Sequence, residues 1–472
     1  MCAAPPRPLG ALDPTTRRIT GLIGAVVAGL ALWVLLPADG LTPEARRLAA
    51  LFVGCLVLWV TEALPIGVTA LLAIAAQPVF VVAPMNTAGA RFMTPVFFFV
   101  LAMFLIAAVV QDSGLDRRFA GWLLRRAGTD SRRVIFAFMV GAATLSSIVS
   151  DVPACAIWAA LGLSLLQRDG LEPGKSNFGR ALMLAIPIAA FIGGIATPAG
   201  SSVNLLGLQL LKDFGGVEVG FLHWMAIGVP MVILLVPLAW WVLVRVYPPE
   251  ITNIAPPPTE APGPLNRAER RTLQLLGTML VLWIASTWYP RALNATMVAL
   301  LGSIAMFMPG FKLLSWDRAM KSVSWEALFM IGGITSLGVA CRDTGLAEWF
   351  VTHSLGGLAT WHPLAIIATI SAVTVVIHLV IPILPAVTAV LVPPVVVLAQ
   401  QAGLPPALFA LPVVFTASCG FLLPLDAVSL ITYGTRYYRM TDMLWPGALI
   451  SVGWVIAMTG LIYVIGPLVG LR

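Results

Sequence analysis

The sequence predicts an all-α polytopic membrane protein built from two repeats with broken helices. Of its 472 residues, 59% are hydrophobic and only 10% charged, against roughly 45–50% and 25% in soluble domains. Mean hydropathy is +0.95. Runs without Asp, Glu, Lys or Arg cover 19–38, 92–111, 181–211, 219–244, 292–311 and 443–471, and a single run of 77 residues covers 349–425. At ~20 apolar residues per crossing, there is room for about a dozen spans. Helices are expected because lipid demands an internally satisfied backbone and the alternation of a barrel strand is absent.

The ends and loops set the expected orientation. Arg7, Arg17 and Arg18 precede the first apolar run, six arginines fall in 117–133, and Arg245, Arg267, Arg270 and Arg271 flank a second loop. The positive-inside bias places all three regions in the cytoplasm, with the N-terminus, and the protein in the cell's inner (plasma) membrane. The net charge of +7 is therefore a topology signal and implies no nucleic-acid partner. No small-residue cleavage site follows the first run, so a retained helix is expected. Cys2, Cys55, Cys155, Cys341 and Cys419 are scattered, mostly in apolar runs, and read as core thiols, with neither a disulfide frame nor a metal site.

Four segments follow in order. Residues 1–44 form a tail and first transmembrane helix, 45–246 a first membrane repeat, 247–271 a proline-rich cytoplasmic linker, and 272–472 a second membrane repeat. Within the first repeat, Arg117–Arg126 sets Phe119, Trp122 and Leu123 among arginines, which suits a helix lying in the membrane interface. The linker stretch 248–264 holds seven prolines and reads as extended chain.

Three correspondences support the repeat. LVLW at Leu56 recurs at Leu280, an offset of 224; QDSGL ending at Leu115 matches RDTGL ending at Leu346, an offset of 231; and the segment from Ile192 matches that from Ser418, an offset of 226. A repeat with interrupted apolar segments points to a secondary transporter, with substrate held near mid-membrane where the interruptions meet. Gly193, Gly194, Pro198 and Gly200 make one such interruption, and Gly420 with Pro424 the matching one.

Polar residues cluster at these interruptions. Ser146, Ser147, Ser150 and Asp151 precede the first, and Thr197, Ser201, Ser202 and Asn204 accompany it. A carboxylate at a helix centre costs ~2.5–3.5 kcal/mol on insertion scales, so Asp151 is expected to face a cavity or a cation. Asp426 occupies the corresponding stage of the second repeat. Hydroxyls, an amide and helix N-termini suit a small anionic substrate; freed carbonyls and carboxylates suit Na⁺ or H⁺ as coupling ion, with no other cofactor. His378, deep in the longest run, is a candidate titrating group, whereas Glu62 reads as an interfacial acid.

LWVTEALPIG from Leu58, SSIVSDV from Ser146, GGIATPAGSSVN from Gly193 and PLDAVSLITYG from Pro424 resemble the divalent-anion:sodium symporter family of the ion transporter superfamily. The likeness runs from about residue 45 to the C-terminus. It implies two inverted repeats with oppositely entering re-entrant hairpins, eleven spanning helices, a homodimer and elevator-type alternating access. It also implies a di- or tricarboxylate or sulfate substrate moved with Na⁺ or by exchange. The family's first hairpin signature falls on Ser150-Asp151-Val152, placing substrate there and at Thr197, Ser201, Ser202, Asn204, Pro424 and Asp426. The first cation site falls on Ser146, Ser150, Asp151 and Gly200. The second signature falls near Ile383-Leu384-Pro385, which lacks hydroxyl and amide donors. Weakened or altered Na⁺ coupling follows from that departure. A proton-coupled or exchange carrier of a different anion or cation in the same superfamily stays open as the alternative. Enzyme readings fail: HExxH and GxSG are absent, and Asp426 follows Leu-Pro-Leu where an intramembrane aspartyl protease needs Gly-x-Gly.

Overall fold

The computed structural model describes residues 14–37, 40–254, 263–289, 293–354, 357, 360–379, 381 and 383–471. Arg7, residues 255–262 of the proline-rich stretch and Pro382 lie outside the described residues. Among those described there are twenty-one α-helices, and the one β-type contact is an isolated bridge between Asp130 and Asn253. The all-α expectation holds.

The helices begin with α1 (Pro14–Leu35), α2 (Pro43–Thr61), α3 (Ile66–Val79) and α4 (Met85–Phe92). Next come α5 (Pro95–Ser113), α6 (Leu115–Ala127), α7 (Ser131–Val149), α8 (Asp151–Arg168), α9 (Asn177–Gly194), α10 (Ser202–Gly215) and α11 (Phe221–Val246). Beyond the linker lie α12 (Arg267–Ala285), α13 (Ala295–Ala305), α14 (Trp316–Ser322), α15 (Trp325–Asp343) and α16 (Leu346–Ser354). The last are α17 (Pro363–Ile377), α18 (Leu384–Gln401), α19 (Pro406–Thr416), α20 (Ala427–Tyr433) and α21 (Leu444–Leu468).

Local chemistry fixes many of these ends. Proline stands in the first turn of α2, α5, α17, α18 and α19, where its missing N–H costs nothing. Thr42, Asp130 and Ser176 cap α2, α7 and α9 by accepting backbone N–H groups, and Asn266 with Glu269 closes a capping box on α12. Gly114 ends α5 at φ 80, a backbone state that a side chain would strain.

Among the described residues, seven helices are long and apolar enough to cross a membrane, or eight if the bent pair α14–α15 is one span. Helices α3, α13, α17 and α19 are apolar but run only 10–17 residues. Breaks inside the apolar runs shorten these helices, so length alone does not return the expected eleven spans.

The described residues form two compact units, each drawing on both sides of the linker. Unit 1 comprises Met1–Phe92 and Trp325–Trp349. There α1 pairs with α2, while α15 packs against α3 and α4. Gln77 donates to Ser336 Oγ at 2.9 Å in its interior, and Arg91 pairs with Asp343.

Unit 2 comprises Met93–Ser324 and Phe350–Arg472. Its core is α7 against α8 and α9, α10 against α18 and α19, and α11 against α21. Trp224 stacks on Phe415 with ring centroids 4.1 Å apart and donates its indole N–H to the Ile195 carbonyl at 2.8 Å. The described ends of the linker are tied down. Thr252 O accepts from Ser131 N, and Arg118 donates to the carbonyls of Gly263 and Pro264 and to Glu269.

Candidate functional site

The site lies in unit 2, at the ends of helices that stop and restart inside apolar sequence. Helix α7 stops at Ser150, whose backbone takes φ 91, ψ 156, a region that costs a non-glycine residue ~1–3 kcal/mol. That bend turns the chain so that Asp151 opens α8. The Asp151 side chain is 7% exposed. Its Oδ1 accepts from Ser150 Oγ and from Val152 N, both at 3.0 Å, and its Oδ2 accepts from Ser201 Oγ at 3.2 Å. No Lys, Arg or His among the described residues forms an ion pair with it.

The second stop lies between α9 and α10. Here Gly193 meets α7 so closely that an added Cβ would stand 2.1 Å from the Ala143 carbonyl oxygen. A Cβ on Gly194 would lie 3.3 Å from both Ser146 Oγ and Gly200 O, so glycine leaves open a small space bordered by two oxygens. Ser146 Oγ also donates to Ala190 O at 2.7 Å. Thr197 Oγ1 donates to Ser147 O at 2.7 Å and thereby ties the second stop to the first. Asn204, fully buried, donates Nδ2 to Gly194 O at 2.8 Å and Thr197 O at 3.0 Å. Its Oδ1 is a buried acceptor with no partner, which a neighbouring donor or cation would satisfy. Ser201 precedes α10 without capping it by its side chain, because its hydroxyl is engaged with Asp151.

The later stops bring a second acid to the same region. Between α19 and α20 the chain passes Gly420 and the buried Pro424, and Asp426 caps α20 by accepting from Val428 N at 2.9 Å. Helix α20 packs against α8 and α9. Cys155, one turn beyond Asp151 on α8, donates Sγ–H to Val428 O at 3.3 Å. Between α17 and α18, Ile383 precedes a helix that begins Leu384-Pro385 with no side-chain cap.

The structure therefore gathers Ser146, Ser150, Asp151, Thr197, Gly200, Ser201 and Asn204 into one network, and it sets Asp426 beside that network through Cys155 and Val428. Val152 contributes its N–H while its side chain is 42% exposed. Ser202 stands at the first position of α10, and Pro424 shapes the approach to Asp426; neither makes a described side-chain bond here. Sequence reading gave Cys155 only a core role. The signal was its position four residues after Asp151, which places both on one face of α8. The Asp151 carboxylate, the Ser146 and Ser150 hydroxyls and the Gly200 carbonyl are hard oxygens, the donor type that suits a hard cation.

A helical membrane protein with paired helix breaks, buried carboxylates and uncapped helix starts belongs to the class of secondary transporters by its architecture. Comparison with known proteins names the family. The model of the sodium:sulfate symporter transmembrane region matches residues 16–471, and the chain belongs to that family. It is a family of transporters, not enzymes. A membrane protein of Cupriavidus necator is 26% identical over 453 residues, covering 89% of this chain and 86% of that one. The sodium-dependent dicarboxylate transporter SdcS of Staphylococcus saprophyticus is 25% identical over 479 residues, covering 95% and 92%. Among solved structures, the YdaH transporter of Alcanivorax borkumensis superposes with a TM-score of 0.56 at 15% identity, covering 95% of this chain and 98% of that one. MtrF of Neisseria gonorrhoeae does so with a TM-score of 0.58 at 12% identity, covering 97% and 96%. At these identities the structures establish a shared fold.

Proposed function

We propose that the chain is a secondary carrier of small dianions, of dicarboxylate or sulfate type, which binds its substrate at the helix breaks of unit 2 together with a cation at Asp151. The observation that carries this reading is the buried Asp151 carboxylate, which has hydroxyl and amide donors but no cationic side chain. A dianion beside it is repelled unless a cation or proton neutralises it. Ser146, Ser150 and Gly200 complete an oxygen-rich cation site, and the unpartnered Asn204 Oδ1 adds an acceptor nearby. The N-terminal ends of α8 and α10, with Thr197, Ser201 and Ser202, offer amide and hydroxyl groups to the anion.

The sodium dependence and dicarboxylate substrate named for SdcS support Na⁺ and that anion class. The second break supports altered coupling, because Ile383-Leu384-Pro385 brings no side-chain oxygen or amide. The order α7–α8, α9–α10, α11 recurs as α17–α18, α19–α20, α21, which supports reading 45–246 and 272–472 as inverted repeats joined by the 247–271 linker. Elevator movement, a homodimer and a plasma-membrane protein with a cytoplasmic N-terminus complete the proposal. A proton-coupled or exchange mechanism is the second reading, and the placing of a second acid, Asp426, at the start of the helix that packs against α8 favours it.

Thermal unfolding of purified protein tests the proposal. Succinate, citrate or sulfate at about 100 times its Kd should stabilise by ~2.7 kcal/mol, and only with Na⁺ present or at reduced pH. No shift with any of the three under either condition would overturn it.

A further inference from the structure

We propose that His378 is a proton-binding site, an imidazolium held between the carboxyl ends of α17 and α19 in a cavity wall shared with Asp426. The ring is 5% exposed. Its Nδ1 lies 2.7 Å from the Thr374 carbonyl oxygen and its Nε2 lies 2.9 Å from the Ala417 carbonyl oxygen. A neutral imidazole has one N–H and one lone pair, so it would satisfy one carbonyl and turn a lone pair on the other. The doubly protonated ring donates to both.

The two carbonyls belong to helix ends. Thr374 is in the last turn of α17, and Ala417 is the C-cap of α19. Each helix C-terminus carries about half a negative elementary charge in its unpaired carbonyls, so two converging ends complement one cation. His378 and Asp426 also line one cavity of about 10 Å³, together with Gly420. That volume suits roughly a single water at most.

The surrounding elements supply little other charge. Helices α18, α19 and α21, which pack on or next to α17, contain no Asp, Glu, Lys or Arg. Their titratable groups are Tyr463 of α21 and, just past α19, Cys419, whose Sγ lies 3.4 Å from Ser451 Oγ. Asp426, which shares that cavity, is therefore the acid available to the ring. The site places a positive charge at the break whose own side chains offer no polar group, and it stands whether or not the transported anion is the one proposed above.

Nitrogen-15 NMR of histidine-labelled full-length protein in lipid nanodiscs tests this directly. The chain has four histidines, so the signal lost in His378→Gln identifies the site. Should that variant fail to fold, replacing His223, His353 and His362 by Gln leaves His378 as the single label. Both ring nitrogens of His378 should be protonated at pH 7, and Asp426→Asn should lower the doubly protonated fraction. A single neutral tautomer at pH 7, or a doubly protonated fraction unchanged in Asp426→Asn, would overturn the proposal.

Discussion

The Ser201 hydroxyl donates to Asp151 Oδ2 at 3.2 Å, joining the break after α9 to the break after α7 across fifty positions of sequence. Thr197 makes a parallel tie to Ser147 O. Two helix breaks thus form one rigid polar floor around a carboxylate. The hydroxyls satisfy Asp151 without neutralising it, which is the ground for the cation proposed there.

Replacing Asp151 by Asn keeps the shape and leaves an Oδ1 for Ser150 and Val152, while removing the charge. Thermal stability should change by less than ~1.5 kcal/mol, the range of near-isosteric swaps. The apparent cation constant for anion binding should rise tenfold or more, or cation dependence should vanish. Cation titrations of anion binding check this; a wild-type cation constant would remove Asp151 from the cation site.

Ser150→Ala together with Asn204→Ala should raise the apparent substrate constant. Asn204→Ala also strips the donor from Gly194 O and Thr197 O, and each buried acceptor left unpaired costs ~1–3 kcal/mol. Unfolding curves with and without anion separate the two effects. Wild-type anion protection in the double variant would place the anion elsewhere.

The approach of Gly193 to α7 predicts a steric failure. Its added Cβ would lie 2.1 Å from Ala143 O and 2.3 Å from Ala143 Cα, and backbone cannot give way as a flexible side chain does. Gly193→Ala should cost ~3 kcal/mol or more, the upper end of overpacking. Gly277→Ala is the matched control, on an exposed face of α12 with nothing within 4 Å, and should gain ~0.5–1 kcal/mol from helix propensity. Equal melting temperatures for the two would contradict this packing.

Orientation is tested at the turn between α6 and α7. Thr129 is exposed, so a Thr129→Cys change in a background without the five native cysteines offers one accessible thiol. A membrane-impermeant maleimide should label it only from the cytoplasmic side. Labelling of intact cells from outside would reverse the topology.

Much of the site was legible because membrane sequence makes polar residues conspicuous. Ser150, Asp151 and Asn204 stood out against apolar neighbours, and glycine–proline pairs marked the breaks. What joins them was hidden, since no local pattern encodes a contact between Asp151 and Ser201 fifty positions away. Cys155 looked like any buried thiol until α20 was seen to present Val428 O to it. His378 was visible as a lone histidine, but the convergence of two helix ends on its ring is a product of packing. The span count was the least legible quantity, because α17 and α19 run only 15 and 11 residues inside a run of 77 residues without charge.

The proposed function turns on a dianion and a cation binding together at the broken helices of unit 2. Uptake of radiolabelled succinate, citrate and sulfate into proteoliposomes tests it most directly, under an inward Na⁺ gradient, an inward proton gradient, or trapped counter-anion alone. Saturable uptake of at least one dianion is expected, driven by a cation gradient, with that drive lost in Asp151→Asn. Uptake that proceeds on counter-anion alone, indifferent to both gradients and to Asp151→Asn, would contradict it.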